Sequence, residues 1–206
     1  MTSVWGERVA TELALREEEG IAMRIQVRSA TVRLVQGDIT TQSVDAIVNA
    51  ANSQLAGGGG VDGAIHRAAG PALMEETKRR YPEGCPTGQA VITESGNLDC
   101  RHVIHTVGPI WDGGLEGEPE LLKSAYRNSL QLAVDHNCQS VAFPAISAGV
   151  YAYPIDLAAE HSLEEVTNFL RECEDIGEVR FVLFSDGAFG AFGRVLERFE
   201  EIVKEW

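Results

Sequence analysis

Short apolar runs alternate with longer amphipathic stretches from residue 23 onward, and this alternation most limits how the chain can fold. Apolar runs of about four to eight residues bounded by turn signals are typical of buried strands, whereas apolar positions repeating every three to four residues are typical of helices. We predict strands at 23–27, 31–35, 45–49, 90–93, 102–107, 140–143 and 179–184, and helices at 63–69, 119–136, 156–173 and 188–203. Pro71 interrupts or restarts the first helix, and Asp156 is a candidate cap of the third.

This order of elements predicts a three-layer α/β/α sandwich around a mixed, mainly parallel central sheet. Ligands of such folds bind outside the carboxyl ends of the strands. Small and polar residues follow three predicted strands, at 49–52, 144–151 and 184–187. We therefore expect these three segments to lie together on one rim of the sheet.

The chain has 206 residues, which suits one domain; we assign 23–206 to it and 1–22 to an N-terminal extension. Apolar residues within 1–20 have helical spacing (Val4, Trp5, Val9 and Leu13), which fits a short amphipathic helix or a poorly ordered extension. No run of about 18 apolar residues and no secretory signal is visible, so we expect a cytoplasmic protein without a membrane span.

The charge and the cysteines exclude several classes of function. A net charge of −14 opposes binding to a nucleic-acid backbone, so an anionic ligand must be held by local dipoles. None of the four cysteines forms a C-x-x-C pair, and no histidine cluster accompanies them. We therefore expect reduced thiols, no metal and no cofactor.

The glycine-rich loop 57–63 is the first candidate site. Its consecutive glycines expose backbone N–H groups and lead into a helix whose N-terminus favours anions. No Gly-Lys-Ser/Thr follows, which excludes a P-loop, and the spacing fits a dinucleotide-binding motif poorly. A flexible surface turn remains the alternative.

Polar residues next to this loop have two possible roles each. Asp62 is either a helix N-cap or a carboxylate acting as general base beside a bound phosphate or sugar. Asn49 and Asn52 either form a structural turn or read ribose hydroxyls through their amides. The local sequence does not choose between these roles.

Three further segments have the same ambiguity. The loop 147–151 can nest a second phosphate on its backbone N–H groups, so two such loops would suit a diphosphate. Asp38 either turns the chain or accepts a hydrogen bond from the amine of a base. Phe184 is either a core residue or a platform that stacks on that base.

Taken together, these segments closely resemble the macrodomain family, within it the MacroD-type ADP-ribosyl hydrolases that include O-acetyl-ADP-ribose deacetylases. The resemblance covers about residues 23–200 and rests on the segments 37–40, 44–52, 57–66, 85–88, 105–109 and 143–151. One departure is Ser147-Ala148-Gly149, where many relatives have Ser-Thr-Gly. The lost hydroxyl should matter little if backbone N–H groups bind the ligand.

The resemblance implies a role for each matching residue. Asp62 would be the catalytic carboxylate, and Asn52 would orient the distal ribose hydroxyls. Asp38 and Ile39 would contact the adenine, with Phe184 flanking it. The diphosphate and distal ribose would be wrapped by two loops, which contribute Gly59, Gly60 and Val61 on one side and Ser147, Ala148, Gly149, Val150 and Tyr151 on the other.

The leading hypothesis from this resemblance is a metal-independent hydrolase of esters on the distal ribose of ADP-ribose. Its substrates would be O-acetyl-ADP-ribose and proteins mono-ADP-ribosylated on Asp or Glu. The water would attack the acyl carbon or the anomeric carbon, with Asp62 or the substrate phosphate as base. The alternatives are a non-catalytic ADP-ribose reader, which Asp62 disfavours, and an RNA-binding domain, which the net charge of −14 disfavours. We expect a monomer.

Overall fold

The structure is a computed structural model that describes residues 22–203; the helix predicted within 1–20 lies outside this range. The strands are β1 (Ala22–Val27), β2 (Ala30–Gln36), β3 (Ala46–Ala50), β4 (Ala90–Glu94), β5 (His102–Thr106), β6 (Ser140–Phe143) and β7 (Glu178–Leu183). The helices are α1 (Gly60–Ala69), α2 (Pro71–Arg80), α3 (Glu118–Asp135), α4 (Ile155–Glu172) and α5 (Asp186–Val203), and Ile39–Thr41 forms one 3-10 turn. None of the helices between residues 22 and 203 has the length and hydropathy of a membrane span.

The seven strands form one sheet in the order β1-β2-β7-β6-β3-β5-β4. The five central strands are parallel, and β1 and β4 pair antiparallel at the two edges. The predicted α/β fold with a mixed, mainly parallel sheet is confirmed. Because the central strands are parallel, the loops after β2, β7, β6, β3 and β5 leave the sheet at the same edge, which we call the carboxyl edge.

Alternate side chains along each strand bury two separate layers of core. On one face, Val48, Phe143 and Phe181 pack with α3, α4 and α5. On the other face, Ile47 and Val103 pack with α1 and α2. Polar side chains follow on this second face. Asn49 lies two residues after Ile47, and His105 lies two residues after Val103, so both are on the same side of the sheet as those core residues.

Tyr126 of α3 connects the first core layer to the carboxyl edge. Its ring is fully buried, with its centroid 5.0 Å from that of Phe143. Its hydroxyl donates to the carbonyl of Pro144 at 3.2 Å and lies 3.3 Å from the amide of Ile146, from which it accepts. The core therefore holds the start of the loop after β6 in place.

Several predicted boundaries need correction. Helix α1 begins at Gly60 rather than at residue 63, so Asp62 lies inside its first turn and is not the N-cap; Gly59 occupies that position. Asp156 does not cap α4, because Pro154 precedes the helix and Asp156 is its second residue. Phe184 lies beyond the end of β7, and α5 begins at Asp186. The alternative that Phe184 is a core residue is excluded, since it is 84% exposed.

Candidate active site

The segments predicted to share one rim do meet at the carboxyl edge. The glycine-rich loop follows β3, and the loop 144–154 follows β6, which pairs directly with β3. Phe184 follows β7, the next strand, and Asp38 follows β2, the strand after that. Their order across the sheet creates a continuous rim with the glycine-rich loop at one end and Asp38 at the other.

The glycine-rich loop folds back onto the helix that it precedes. Gly57 and Gly60 have φ angles of +74° and +57°, which favour glycine. A Cβ on Gly63 would lie 2.5 Å from the carbonyl oxygen of Gly58, so only glycine fits there. Among the described residues, no side chain caps α1, which leaves its first-turn N–H groups and the positive end of its dipole to the rim.

Asp62 is a buried carboxylate, 5% exposed, on this first turn. Its Oδ1 accepts a hydrogen bond of 2.7 Å from the amide nitrogen of Asn49 and lies 3.3 Å from Nε2 of His66, one helical turn away. Its Oδ2 borders Gly58, where an added Cβ would lie 3.1 Å from it. Oδ1 of Asp62 is therefore bound within the protein, whereas Oδ2 faces the exposed glycine-rich loop at Gly58.

Asn49 is fully buried, and its amide nitrogen lies 2.7 Å from Asp62 Oδ1 and 3.1 Å from Nδ1 of His105. Both N–H groups are therefore used inside the protein. The structure thus places Asn49 beneath Asp62 and does not bring it to the surface of the rim, where a ribose hydroxyl would be read. Asn49 supports the carboxylate.

Asn52 braces the glycine-rich loop. Its amide nitrogen donates to the carbonyl of Gly57 at 2.8 Å, and its Oδ1 accepts from the backbone N–H groups of Gln54 and Ala56 at 3.2 Å. A Cβ on Gly58 would lie 3.8 Å from the same amide nitrogen. Asn52 and Asp62 thus border the same glycine. The hydrogen bonds of Asn52 also stabilise the turn after β3, which is one of its two predicted roles.

The loop after β6 offers backbone donors. Among the described residues, the N–H groups of Ser147, Gly149, Val150 and Tyr151 donate no hydrogen bond within the protein. Ser147 has a φ of +64°, and its buried hydroxyl also has no partner in the described chain. The amide of Ala148 bonds to Ala145 at 3.3 Å. Four N–H groups of this loop are therefore available for the predicted nest, whereas that of Ala148 is used within the protein.

A second loop, 108–117, supports this nest and was not predicted. The amide of Trp111 donates to the carbonyl of Tyr151 at 2.9 Å. The carboxylate of Glu118 accepts from the N–H groups of Asp112, Gly114 and Glu116 at 2.9, 3.0 and 2.6 Å. Burial pushes the pKa of Glu118 upward, but these hydrogen bonds outweigh it and the pKa is lowered.

At the far end of the rim, Asp38 is exposed and its Oδ1 accepts hydrogen bonds from the amide and hydroxyl of Thr40, both at 2.8 Å. Asp38 therefore stabilises the turn after β2, which is one of its two predicted roles. Ile39 is buried, and Val150 and Phe184 are exposed to 92% and 84%. Exposed apolar side chains that flank a rim of unpaired donors fit a ligand with both apolar faces and anionic groups.

Histidines in the matching motifs were given no role by sequence reasoning. His66 was visible as the residue four positions after Asp62 on a helix. His105 was visible only as part of the segment 105–109, and Thr93, which lies 2.9 Å from its Nε2, left no signal. Burial lowers the pKa of His105 to about 3, nearby His66 adds to this effect and Asp62 opposes it. His105 is therefore a neutral imidazole at physiological pH.

All four cysteines are free thiols in the structure. Burial raises the pKa of Cys85 and of Cys100 to about 11, so both are poor nucleophiles. The amide of Cys85 donates to the carbonyl of Ser53 at 2.8 Å, so its segment braces the loop after β3. Within residues 22–203, no group of three His, Cys, Asp or Glu side chains is placed to hold a metal ion.

A parallel-sheet domain with two donor-rich loops flanking a buried carboxylate defines a class of ligand-binding α/β proteins. A family model described as "Macro domain" matches residues 48–162, more than half of the chain. This chain belongs to the Macro domain family.

Similar proteins extend this match to most of the chain. It is 51% identical to a protein of Cronobacter sakazakii named O-acetyl-ADP-ribose deacetylase, across 84% of this chain and 97% of that protein. It is 53% identical to a Macro domain-containing protein of Caldanaerobacter subterraneus, across 82% and 98% of the two chains.

Solved structures agree. An Oceanobacillus iheyensis macrodomain solved with ADP superposes with a TM-score of 0.83 at 43% identity, covering 87% of this chain and 97% of that one. A Trypanosoma brucei macrodomain in complex with ADP-ribose gives a TM-score of 0.75 at 38% identity, covering 80% and 68%.

Proposed function

We propose that this protein is a metal-independent hydrolase that binds ADP-ribose at the carboxyl edge and cleaves esters of its distal ribose. Its substrates are O-acetyl-ADP-ribose and proteins mono-ADP-ribosylated on Asp or Glu. The observation that carries the proposal is Asp62, a buried carboxylate with one oxygen held by Asn49 and the other beside exposed Gly58. The name of the Cronobacter relative supports the deacetylase activity.

Binding in this proposal relies on local donors, since the net charge of −14 repels an anion. The uncapped start of α1 and the nest after β6 supply N–H groups on two sides of a diphosphate. The diphosphate and distal ribose contact Gly59, Gly60, Val61, Ser147, Ala148, Gly149, Val150 and Tyr151. At the other end Asp38 and Ile39 contact the adenine, and exposed Phe184 stacks on it.

Hydrolysis then requires an activated water. Its oxygen forms a bond to the acyl carbon, and Asp62 accepts one of its protons. The bond between the acyl carbon and the ribose oxygen breaks, and the departing ribose oxygen takes that proton from Asp62. The products are the free carboxylic acid and ADP-ribose. Asn52, which braces the loop at Gly57, orients the ribose hydroxyls near this water.

The test is a panel of defined linkages combined with calorimetry. We expect the protein to bind ADP-ribose and to release it from the acetyl ester and from Asp- and Glu-linked conjugates, with arginine-linked conjugates intact. Chelators should leave the rates unchanged. Tight ADP-ribose binding without release from any ester would contradict the hydrolase and indicate a reader instead.

A further inference from the structure

Behind Asp62, three polar side chains on neighbouring strands form a buried chain of hydrogen bonds. Asn49 of β3 lies opposite His105 of β5 in the sheet register, and Thr93 lies on the adjacent strand β4. The three side chains are 0%, 0% and 1% exposed. Buried polar groups at this density are costly unless each finds a partner, so their arrangement requires an explanation.

The hydrogen bonds among these three side chains can have only one set of donors and acceptors. The amide nitrogen of Asn49 carries two hydrogens, and its lone pair is delocalised into the carbonyl, so it only donates; its two neighbours are Oδ1 of Asp62 and Nδ1 of His105. Nδ1 of His105 must therefore be the acceptor. In a neutral imidazole the other nitrogen is then the donor, so Nε2–H donates to Thr93 Oγ1 at 2.9 Å. Thr93 in turn donates to the carbonyl of Val103 at 3.4 Å.

The opposite orientation of the Asn49 amide is unfavourable because it would place a carbonyl oxygen against the Asp62 carboxylate. The orientation set by the nitrogen leaves Oδ1 of Asn49 buried without a hydrogen-bond partner among the described residues. An amide that had only a packing role would not leave its acceptor unpaired in this way. The nitrogen contacts, and therefore Asp62 and His105, determine how Asn49 is turned.

We propose that His105 and Thr93 are positioning residues of the active site, which act on Asp62 through the orientation of Asn49. His105 accepts one N–H of the amide, so the second N–H points at Asp62 Oδ1 and leaves Oδ2 of Asp62 beside exposed Gly58. Thr93 fixes His105 as the Nε2–H tautomer. The catalytic part of this proposal rests on the proposed hydrolase function.

Two matched pairs of variants test it kinetically. His105→Phe keeps a ring but removes the acceptor, whereas His105→Asn restores an oxygen near the position of Nδ1. Thr93→Val removes the acceptor for Nε2–H, whereas Thr93→Ser keeps it. We expect kcat for O-acetyl-ADP-ribose to fall roughly 10- to 100-fold in His105→Phe and Thr93→Val, since a small misplacement of a catalytic group can cost about 10²-fold. KM and ADP-ribose affinity should be unchanged, and the Asn and Ser variants should recover most of kcat.

A spectroscopic measurement does not depend on turnover. Long-range ¹H–¹⁵N correlation spectra of the wild-type protein should show His105 protonated at Nε2 and unprotonated at Nδ1 from pH 5 to pH 8. A proton on Nδ1, or a charged ring in this range, would overturn the proposal. If His105→Phe does not fold, this readout still tests the orientation of Asn49, and the Thr93→Val and Thr93→Ser pair tests the effect on kcat.

The outcomes separate the two proposals. If the wild type cleaves no ADP-ribose ester, the hydrolase function fails, while the tautomer still decides how Asn49 is oriented. If the wild type is active but folded Thr93→Val and His105→Phe retain its kcat, the hydrolase function stands and the positioning role is overturned.

Discussion

An aspartate contacts each end of β3, and the two carboxylates differ in how their oxygens are used. Asp45 directly precedes the strand at the edge where the parallel strands begin, which we call the amino edge, and Asp62 contacts Asn49 near the end of the strand. At the amino edge, Oδ2 of Asp45 accepts from the amides of Gln139 and Ser140 and from the Ser140 hydroxyl, at 2.8, 3.0 and 3.0 Å. At the carboxyl edge, Asp62 shares one oxygen with Asn49 and directs the other toward exposed Gly58. Asp45 joins β3 to β6, whereas Asp62 leaves one oxygen available for the proposed hydrolysis.

The backbone hydrogen bonds differ between the amino edge and the carboxyl edge in the same way. At the amino edge, the amides of Arg101 and His102 both donate to the carbonyl of Asp45, at 2.9 and 3.1 Å. At the carboxyl edge, four N–H groups of the loop 147–151 and the uncapped start of α1 have no such partner in the described chain. The difference teaches that unused hydrogen-bonding capacity, rather than burial or charge alone, distinguishes the edge where we propose that ADP-ribose binds.

The largest effect should come from exchanging the two aspartates for alanine. Asp62→Ala should lower kcat for O-acetyl-ADP-ribose by at least about 10²-fold, the usual contribution of a general base. Asp45→Ala should keep kcat and lose about 1–3 kcal/mol of unfolding free energy, since it leaves three donors without a charged partner. Steady-state kinetics and urea unfolding of both variants check this. Equal losses of kcat in the two variants would contradict a catalytic role for Asp62 and a structural role for Asp45.

Asn52→Ala probes the same edge through its loop. It should reduce kcat less than Asp62→Ala, because it removes the bond to Gly57 and frees the loop without removing the carboxylate. Undiminished turnover in both variants would show that the catalytic assignment is wrong.

Glycine substitutions should sharpen the comparison within the carboxyl edge. Gly63→Ala should cost about 1–3 kcal/mol of stability through overpacking against Gly58, which outweighs a helix-propensity gain of about 1 kcal/mol. Gly59→Ala is the control, since no atom of the residues that the structure describes lies within 4 Å of its Cβ position. We expect Gly59→Ala to keep the melting temperature but weaken ADP-ribose binding in calorimetry. A stable, fully active Gly63→Ala variant would contradict the tight loop–helix packing.

The amino edge should carry a pH dependence of stability. Burial pushes the pKa of Asp45 upward, but hydrogen bonds from Gln139 and Ser140 outweigh it, so the folded-state pKa lies below the ordinary value. The native state then binds fewer protons than the unfolded state, and the contribution of Asp45 is present above pH about 4 and lost as pH falls through the folded value. Urea unfolding of wild type and Asp45→Asn should differ at pH 6 and converge toward pH 3. A constant difference would contradict this origin.

The smallest effect should come from Phe184→Ala. Because this side chain is 84% exposed, the free energy of unfolding should change by less than about 0.5 kcal/mol. Loss of stacking on adenine should cost about 1 kcal/mol, which is about fivefold in Kd for ADP-ribose. Calorimetry with ADP-ribose and with ribose 5-phosphate, which has no base, separates loss of stacking from a general weakening of binding. Equal weakening for both ligands would argue against stacking.

Local patterns predicted the fold because the strands are apolar runs and the helices have apolar faces, as in the confirmed β6 at Ser140–Phe143. The local pattern also singles out Asp62 as a candidate, since its loop is a local motif, but its predicted catalytic role comes from the family resemblance. The start of α1 was misplaced because Gly59 has no capping side chain to announce it. The contact of Asn49 with His105 depends on the pairing of β3 with β5, which are separated by two helices and β4 along the chain, so no local pattern encodes it.

The most direct test of the central claim is hydrolysis of O-acetyl-ADP-ribose in H₂¹⁸O by the wild type and by Asp62→Asn. Water attack on the acyl carbon with Asp62 as base predicts ¹⁸O in the acetate, unlabelled ADP-ribose, and no release above the buffer blank in the variant. Calorimetry should show that the variant still binds ADP-ribose. Binding of ADP-ribose without acetate release by the wild type, or a wild-type rate in Asp62→Asn, would contradict the account.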